Sequence, residues 1–110
     1  MSEEPKPETA RDRLFKLYDE LFATAKKIAR KKNQDYGRES DPYFNFRRHG
    51  EKGFLVRIDD KLCRIDNFLA NGFLENESFL DSIIDIINYN VLLYGYLVEE
   101  GKIQRGPKEE

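Results

Sequence analysis

The sequence predicts an all-α protein, a bundle of about three helices per chain completed by oligomerisation. Three observations carry this reading. Apolar residues recur at spacings of three and four over three long stretches. No strand pattern competes with them. Glycines punctuate their ends, with Gly37, Gly50 and Gly53 between the first two, Gly72 after the second and Gly101 after the third. With 110 residues the chain has room for one domain. It is expected over residues 9–100, between a disordered lead (1–8, holding Pro5 and Pro7) and a flexible tail (101–110).

The first helix is expected from about Thr9 to Lys32. Leu14, Leu17, Leu21, Ala25 and Ile28 form its apolar stripe and Thr9 can cap it. Lys26, Lys27, Arg30, Lys31 and Lys32 load its C-terminal end, where the helix dipole favours cations. The second is expected from about Phe54 to Ala70, with Leu55, Ile58, Leu62, Ile65 and Leu69 as its stripe. The third starts near Glu75–Ser78 and continues to about Glu99. It is apolar around most of its circumference, so it needs more neighbours than two amphipathic helices supply. A homodimer or homotetramer is the simplest remedy.

The long segment from Asn33 to Gly53 is irregular but carries Tyr36, Tyr43, Phe44 and Phe46. A loop of this length is functional or disordered. Four aromatics need something to pack on, either the protein's own helices or a planar ligand.

Bulk properties remove several function classes. A formal net charge of −2 argues against a partner that is a nucleic-acid polymer, yet one nucleotide site needs only a few cations. One cysteine, Cys63, excludes an internal disulfide and a cysteine-rich zinc site, and suits a reducing cytoplasm. The opening MSEEPKPETARD lacks the apolar core of a signal peptide. Asp81, Asp85, Asn88 and Asn90 interrupt the most apolar stretch, which speaks against a membrane span.

The third helix carries the sharpest chemical signal. Glu77, Asp81 and Asp85 follow at four-residue spacing and Asn88 comes three later, so at about 100° per residue they share one face. That face turns apolar beyond them, at Leu92, which points the carboxylates into the bundle or a cleft at its mouth. Like charges one turn apart repel, and Mg²⁺ is the natural relief, since it prefers oxygen ligands and substrate phosphates. Glu77, Asp81 and Asp85 are therefore the expected metal ligands and catalytic residues. The plain alternative is an acidic bias at a helix N-terminus, which suits Glu77 better than Asp81 or Asp85. On the second helix, RIDDKLCRIDN offers Asp60, Lys61 and Arg64. Pattern alone slightly favours a surface pair, Asp60 with Arg64, worth about 0.3–0.5 kcal/mol.

Phosphates need Lys or Arg, and a base needs an aromatic face or an amide. KKNQDYG supplies Lys31, Lys32, Asp35, Tyr36 and Gly37, and DPYFNFRRHG supplies Tyr43, Asn45, Phe46, Arg47, Arg48 and His49. The plain alternatives are solvated lysines, loop-anchoring aromatics and a surface histidine. No P-loop or dinucleotide fingerprint is present.

Together KKNQDYG, PYFNFRRHGEKGF, RIDDKLCRIDNFL and ENESFLDSIIDIINYNVLLYGYL resemble a known family over about residues 14–98. This is the phage-associated nucleotide-modification-associated domain, a relative of the MazG-like and dimeric dUTPase-like all-α pyrophosphohydrolases. The resemblance implies Mg²⁺-dependent hydrolysis of a canonical or modified (deoxy)nucleoside triphosphate to monophosphate and pyrophosphate. It carries over to Lys32, Asp35, Tyr36, Asn45, Asp60, Lys61, Arg64 and Asn88 as substrate-binding residues, and to Glu77, Asp81 and Asp85. MazG-type enzymes hold the metal with E-x-x-E on one helix and E-x-x-D on the next. Here the second helix has Asp59, Asp60 and Lys61 instead, and Ser82 stands three before Asp85. The alternatives are a non-catalytic nucleotide-binding module and a helical protein-interaction module.

Overall fold

The computed structural model describes residues 4–75 and 77–106. Three α-helices make up the fold: α1 (Ala10–Tyr36), α2 (Glu51–Asn71) and α3 (Phe79–Glu99), with a short 3₁₀ turn at Phe44–Phe46 between the first two. No strand occurs among the described residues; the one β-bridge is an isolated pair, Arg38 with Asp41. The fold is all-α, as the periodicity predicts.

Local sequence explains most helix ends. Thr9 caps α1 in a reciprocal box: its hydroxyl accepts from Asp12 N–H at 3.1 Å and Asp12 accepts from Thr9 N–H at 3.0 Å. Ser78 and Asp81 repeat this box at the start of α3. Gly72, at φ 83°, closes α2 by donating to the Phe68 carbonyl. Gly101, at φ 72°, closes α3: its N–H donates to Val98 and Lys102 N–H to Leu97, the two bonds of a Schellman ending.

Two ends differ from expectation. α1 runs to Tyr36, because Asn33 stays helical while its amide donates to the Pro42 carbonyl at 2.8 Å, tying the returning loop to the last turn. α2 starts at Glu51, three residues early, because Gly50 at φ 62° turns the chain and Gly53 is tolerated inside the helix. Of the expected disordered ends, residues 1–3 and 107–110 lie outside the described residues. Residues 4–9 form no regular element, but the start of the tail is tied down: Lys102 pairs with Glu51, and Gly106 N–H donates to the Tyr94 hydroxyl.

The long loop supplies one of the three buried rings at the centre of the core. Phe46 stacks on Phe54 of α2 with ring centroids 4.1 Å apart, and Tyr96 of α3 packs against Phe54 at 5.5 Å. Tyr43 meets Tyr96 edge-on, and its hydroxyl lies where a Cβ at Gly95 would stand, so a glycine inside α3 is what lets the loop dock. Arg47 fastens the loop's outer side by pairing with Asp41 and with Glu100 at the end of α3. The loop's aromatics therefore divide: Tyr43 and Phe46 pack on helices, while Tyr36 and Phe44 stay exposed.

Only the second half of α1 is packed. Ala25 is buried where α1 meets α3, and Asn88 donates to its carbonyl at 3.0 Å. Upstream, Leu14, Phe15, Leu17, Tyr18 and Phe22 are 47–57% exposed. On α2 the predicted stripe splits: Ile58 and Ile65 are half-buried, while Leu55, Leu62 and Leu69 are exposed, and the fully buried residue is Phe54, outside that stripe. The radius of gyration, 17.8 Å, exceeds the roughly 13 Å of a compact chain near this length.

Candidate functional site

A cluster of opposite charges sits where α2 and α3 face each other, flanked by the end of α1. Asp85 is buried one turn inside α3, and its two oxygens meet two lysines: Oδ1 is 3.0 Å from Lys32 Nζ and Oδ2 is 2.9 Å from Lys61 Nζ. Lys61 also reaches both oxygens of Glu77, at 3.1 and 3.3 Å. Arg64 Nε lies 3.0 Å from Glu77 Oε2. Three helices thus contribute to one network: α1 gives Lys32, α2 gives Lys61 and Arg64, and the approach to α3 gives Glu77.

The network sets the protonation of its members. Burial pushes the Asp85 carboxyl up, but the ammonium groups of Lys61 and Lys32 outweigh it and hold the group below its ordinary value. Burial likewise pulls Lys61 down, and its carboxylate partners Asp85 and Glu77 more than restore it, so it stays above its ordinary value. Both members are charged at neutral pH.

The cluster opens on two hollows. The larger, about 1180 Å³, runs between the end of α1, the loop and α3. Lys32, Asp35, Tyr36, Asn45, Asp85 and Asn88, all read from the sequence, line it. So do Lys26, Arg30, Arg48 and Arg57, which gives five cations with Lys32 against three carboxylates, Asp35, Glu39 and Asp85. Tyr36 offers an open ring there, whereas the Phe44 ring carries the Arg38 guanidinium 3.8 Å from its centroid. The smaller hollow, about 420 Å³, lies along α2 and is lined by Asp60, Lys61 and Arg64 among others.

Asp81 is not brought into the cluster. It is exposed, and its carboxylate accepts from Ser78 N–H as the third residue of the α3 cap. The even spacing from Glu77 to Asp85 does not distinguish the residue before the helix, the cap and the second turn, which point to different surroundings. Asn88 lines the large hollow, but its amide nitrogen is committed to Ala25. Arg64 pairs with Glu77 rather than with Asp60. The sequence reading does not single out Arg57, and it takes Arg30 only as a cation at the end of the first helix. Arg57 lies four residues before Lys61 and seven before Arg64, which places it on the same face of α2.

The donor set admits Mg²⁺ in a limited way. Glu77 and Asp85 already share one cation, the Lys61 ammonium, so a positive charge between these hard oxygens is favourable. Among the described residues no three carboxylate, histidine or cysteine side chains gather at one point. The chain therefore offers two carboxylates, and water and phosphate oxygens must fill the other positions. No helix among the described residues is long and apolar enough to cross a membrane. No protein family, curated protein or solved structure matches the chain.

Proposed function

We propose that this protein handles a (deoxy)nucleoside triphosphate, canonical or modified, in the large hollow and hydrolyses it with Mg²⁺ to monophosphate and pyrophosphate. The observation that carries the reading is the meeting of a buried, lysine-bound Asp85 with a cleft that is rich in cations and holds an open aromatic ring. At about 1180 Å³ the hollow is slightly larger than the roughly 300–1,000 Å³ of most ligand clefts, which leaves room for a nucleotide and its metal. Tyr36 can stack on a base and Asn45 can read its edge. In this reading Lys32, on the large hollow, and Lys61, on the smaller one, exchange their carboxylate partners for phosphate oxygens. Glu77 and Asp85, relieved of them, would hold the cation. The cation supplies charge neutralisation for the triphosphate and a more acidic water. Hydrolysis joins the water oxygen to the α-phosphorus and breaks the α–β anhydride bond, and pyrophosphate leaves with the bridging oxygen.

The experiment is incubation with Mg²⁺ and a panel of (deoxy)nucleoside triphosphates, modified bases included, with chromatographic resolution of products. Monophosphate and pyrophosphate are expected, reduced about a hundredfold or more in Asp85→Ala. Equal turnover in that variant sinks the assignment. A second reading, nucleotide binding without cleavage, has its own support: Glu77 and Asp85 are already neutralised and Asp81 is engaged in a cap. It predicts melting shifts with the same nucleotides and no product.

The working form in this reading is a homo-oligomer in a reducing cytoplasm. A second copy is the partner that suits the bare half of α1, whose Phe15, Tyr18 and Phe22 form a run of touching rings. Light scattering is expected to give two or four times the 13.0 kDa chain. Phe15→Glu with Phe22→Glu is expected to reduce this to one. A monomeric wild type at high concentration rules the oligomer out.

A further inference from the structure

Arg57 stands where the two hollows meet: it lines both, as does Tyr89 beside it. The smaller hollow follows one face of α2, with Arg57, Asp60, Lys61, Arg64 and Asn67 at helical spacing and Tyr89 of α3 opposite. Its lining carries three cations and one carboxylate. The donors there are not equally engaged. Lys61 is held by Glu77 and Asp85, and Arg64 spends its Nε on Glu77, leaving its two terminal nitrogens. Arg57 has no ion pair among the described residues.

We propose that the smaller hollow is a polyphosphate seat, and that Arg57 carries the phosphate chain into it from the large hollow. This rests on the nucleotide reading for the rest of the ligand, with the base beside Tyr36. A guanidinium fork pairs with phosphate oxygens in a bidentate way, and Arg57 and Arg64 present two such forks on one helix face. They are seven residues apart, about 10 Å along the helix axis. That separation matches an extended chain of phosphates better than a single phosphate. The chain would pass over Lys61 between the two arginines, which gives that ammonium its alternative partner.

The test titrates the full chain with inorganic tripolyphosphate by calorimetry, and uses the same anion to compete against the nucleoside triphosphates. Arg57→Ala is compared with Lys52→Ala, which removes an exposed charge that lines neither hollow. Wild type and Lys52→Ala are expected to bind tripolyphosphate alike. Arg57→Ala is expected to bind it at least about tenfold more weakly, with unchanged melting temperature, and Arg57→Lys to recover part of the loss. Equal affinity in wild type and Arg57→Ala overturns the proposal, and so does a wild type that does not bind tripolyphosphate. If nucleotides still bind in either case, the nucleotide reading survives alone. If tripolyphosphate binds through Arg57 while no nucleotide binds, the seat survives and the nucleotide reading falls.

Discussion

Phe54→Ala is expected to lower the folding free energy by about 3–5 kcal/mol, the range for removing a fully buried aromatic ring. The ring has no solvent exposure and stacks on Phe46 from the loop and against Tyr96 from α3. It is the point at which the loop, α2 and α3 meet. Among the described residues only five apolar side chains are buried, so few contacts can absorb the loss. Since small domains hold about 5–15 kcal/mol in total, this substitution takes a large share. Chemical denaturation measures it, and a loss below about 1 kcal/mol would show that the aromatic stack is not the centre of the fold. Phe54→Leu is expected to cost less, because it keeps most of the buried volume. The cleft should suffer with the core. Phe46 belongs to the loop that carries Phe44 and Asn45 along the large hollow, so loosening the stack frees that wall.

Lys61→Met is expected to cost about 2–4 kcal/mol, less than the loss of a fully buried partner because its surroundings are only partly closed to water. Methionine keeps the stem and removes the charge, which leaves Glu77 and Asp85 without the cation they share. The acid limb of stability should move as well. A depressed carboxyl contributes stability that is present above its ordinary value of 3.8 and is lost as pH falls through its lower folded value. Without Lys61, burial is opposed by Lys32 alone, so the Asp85 pKa rises and the share of the acid loss that Asp85 contributes below pH 3.8 shrinks. Melting temperatures recorded from about pH 2 to pH 7 check the direction. The same variant probes the metal: with the shared ammonium gone, Mg²⁺ should raise the melting temperature of Lys61→Met more than that of the wild type. No added response to Mg²⁺ counts against Glu77 and Asp85 as its ligands.

Much of this was legible in residue order, and the failures have a common cause. Thr9, Ser78, Gly72 and Gly101 act on their immediate neighbours, so the ends they set could be read directly. Tyr36 and Glu51 were missed as boundaries because Asn33 reaches the Pro42 carbonyl and Gly50 turns on a loop packed elsewhere. The acidic face of α3 announced Asp85, and the partners came from the charged stretches named beside it. Which cation meets which carboxylate is tertiary information: Lys32 and Asp85 are 53 residues apart. Asp81 shares the spacing of Asp85 but belongs to the first turn, where the cap claims it. On α2 both Phe54 and Leu55 begin plausible apolar stripes, and periodicity cannot tell which one a single chain covers. Arg57 was visible at helical spacing from Lys61 and Arg64, but only the meeting of two hollows gives that spacing a meaning.

The uneven packing of α1 has a consequence in time. Its hydrogen-bonded ladder is continuous from Ala10 to Tyr36, yet only the C-terminal half is held by α3 and the loop. Helical turns without tertiary partners open and close locally, while packed turns open only with the surrounding structure. In the isolated chain, amide protons from residue 14 to 22 therefore exchange with solvent ahead of those from residue 25 to 33. The helix behaves as a clamped beam with a free arm. The arm can bend, fray or join another surface without disturbing the end that carries Lys32.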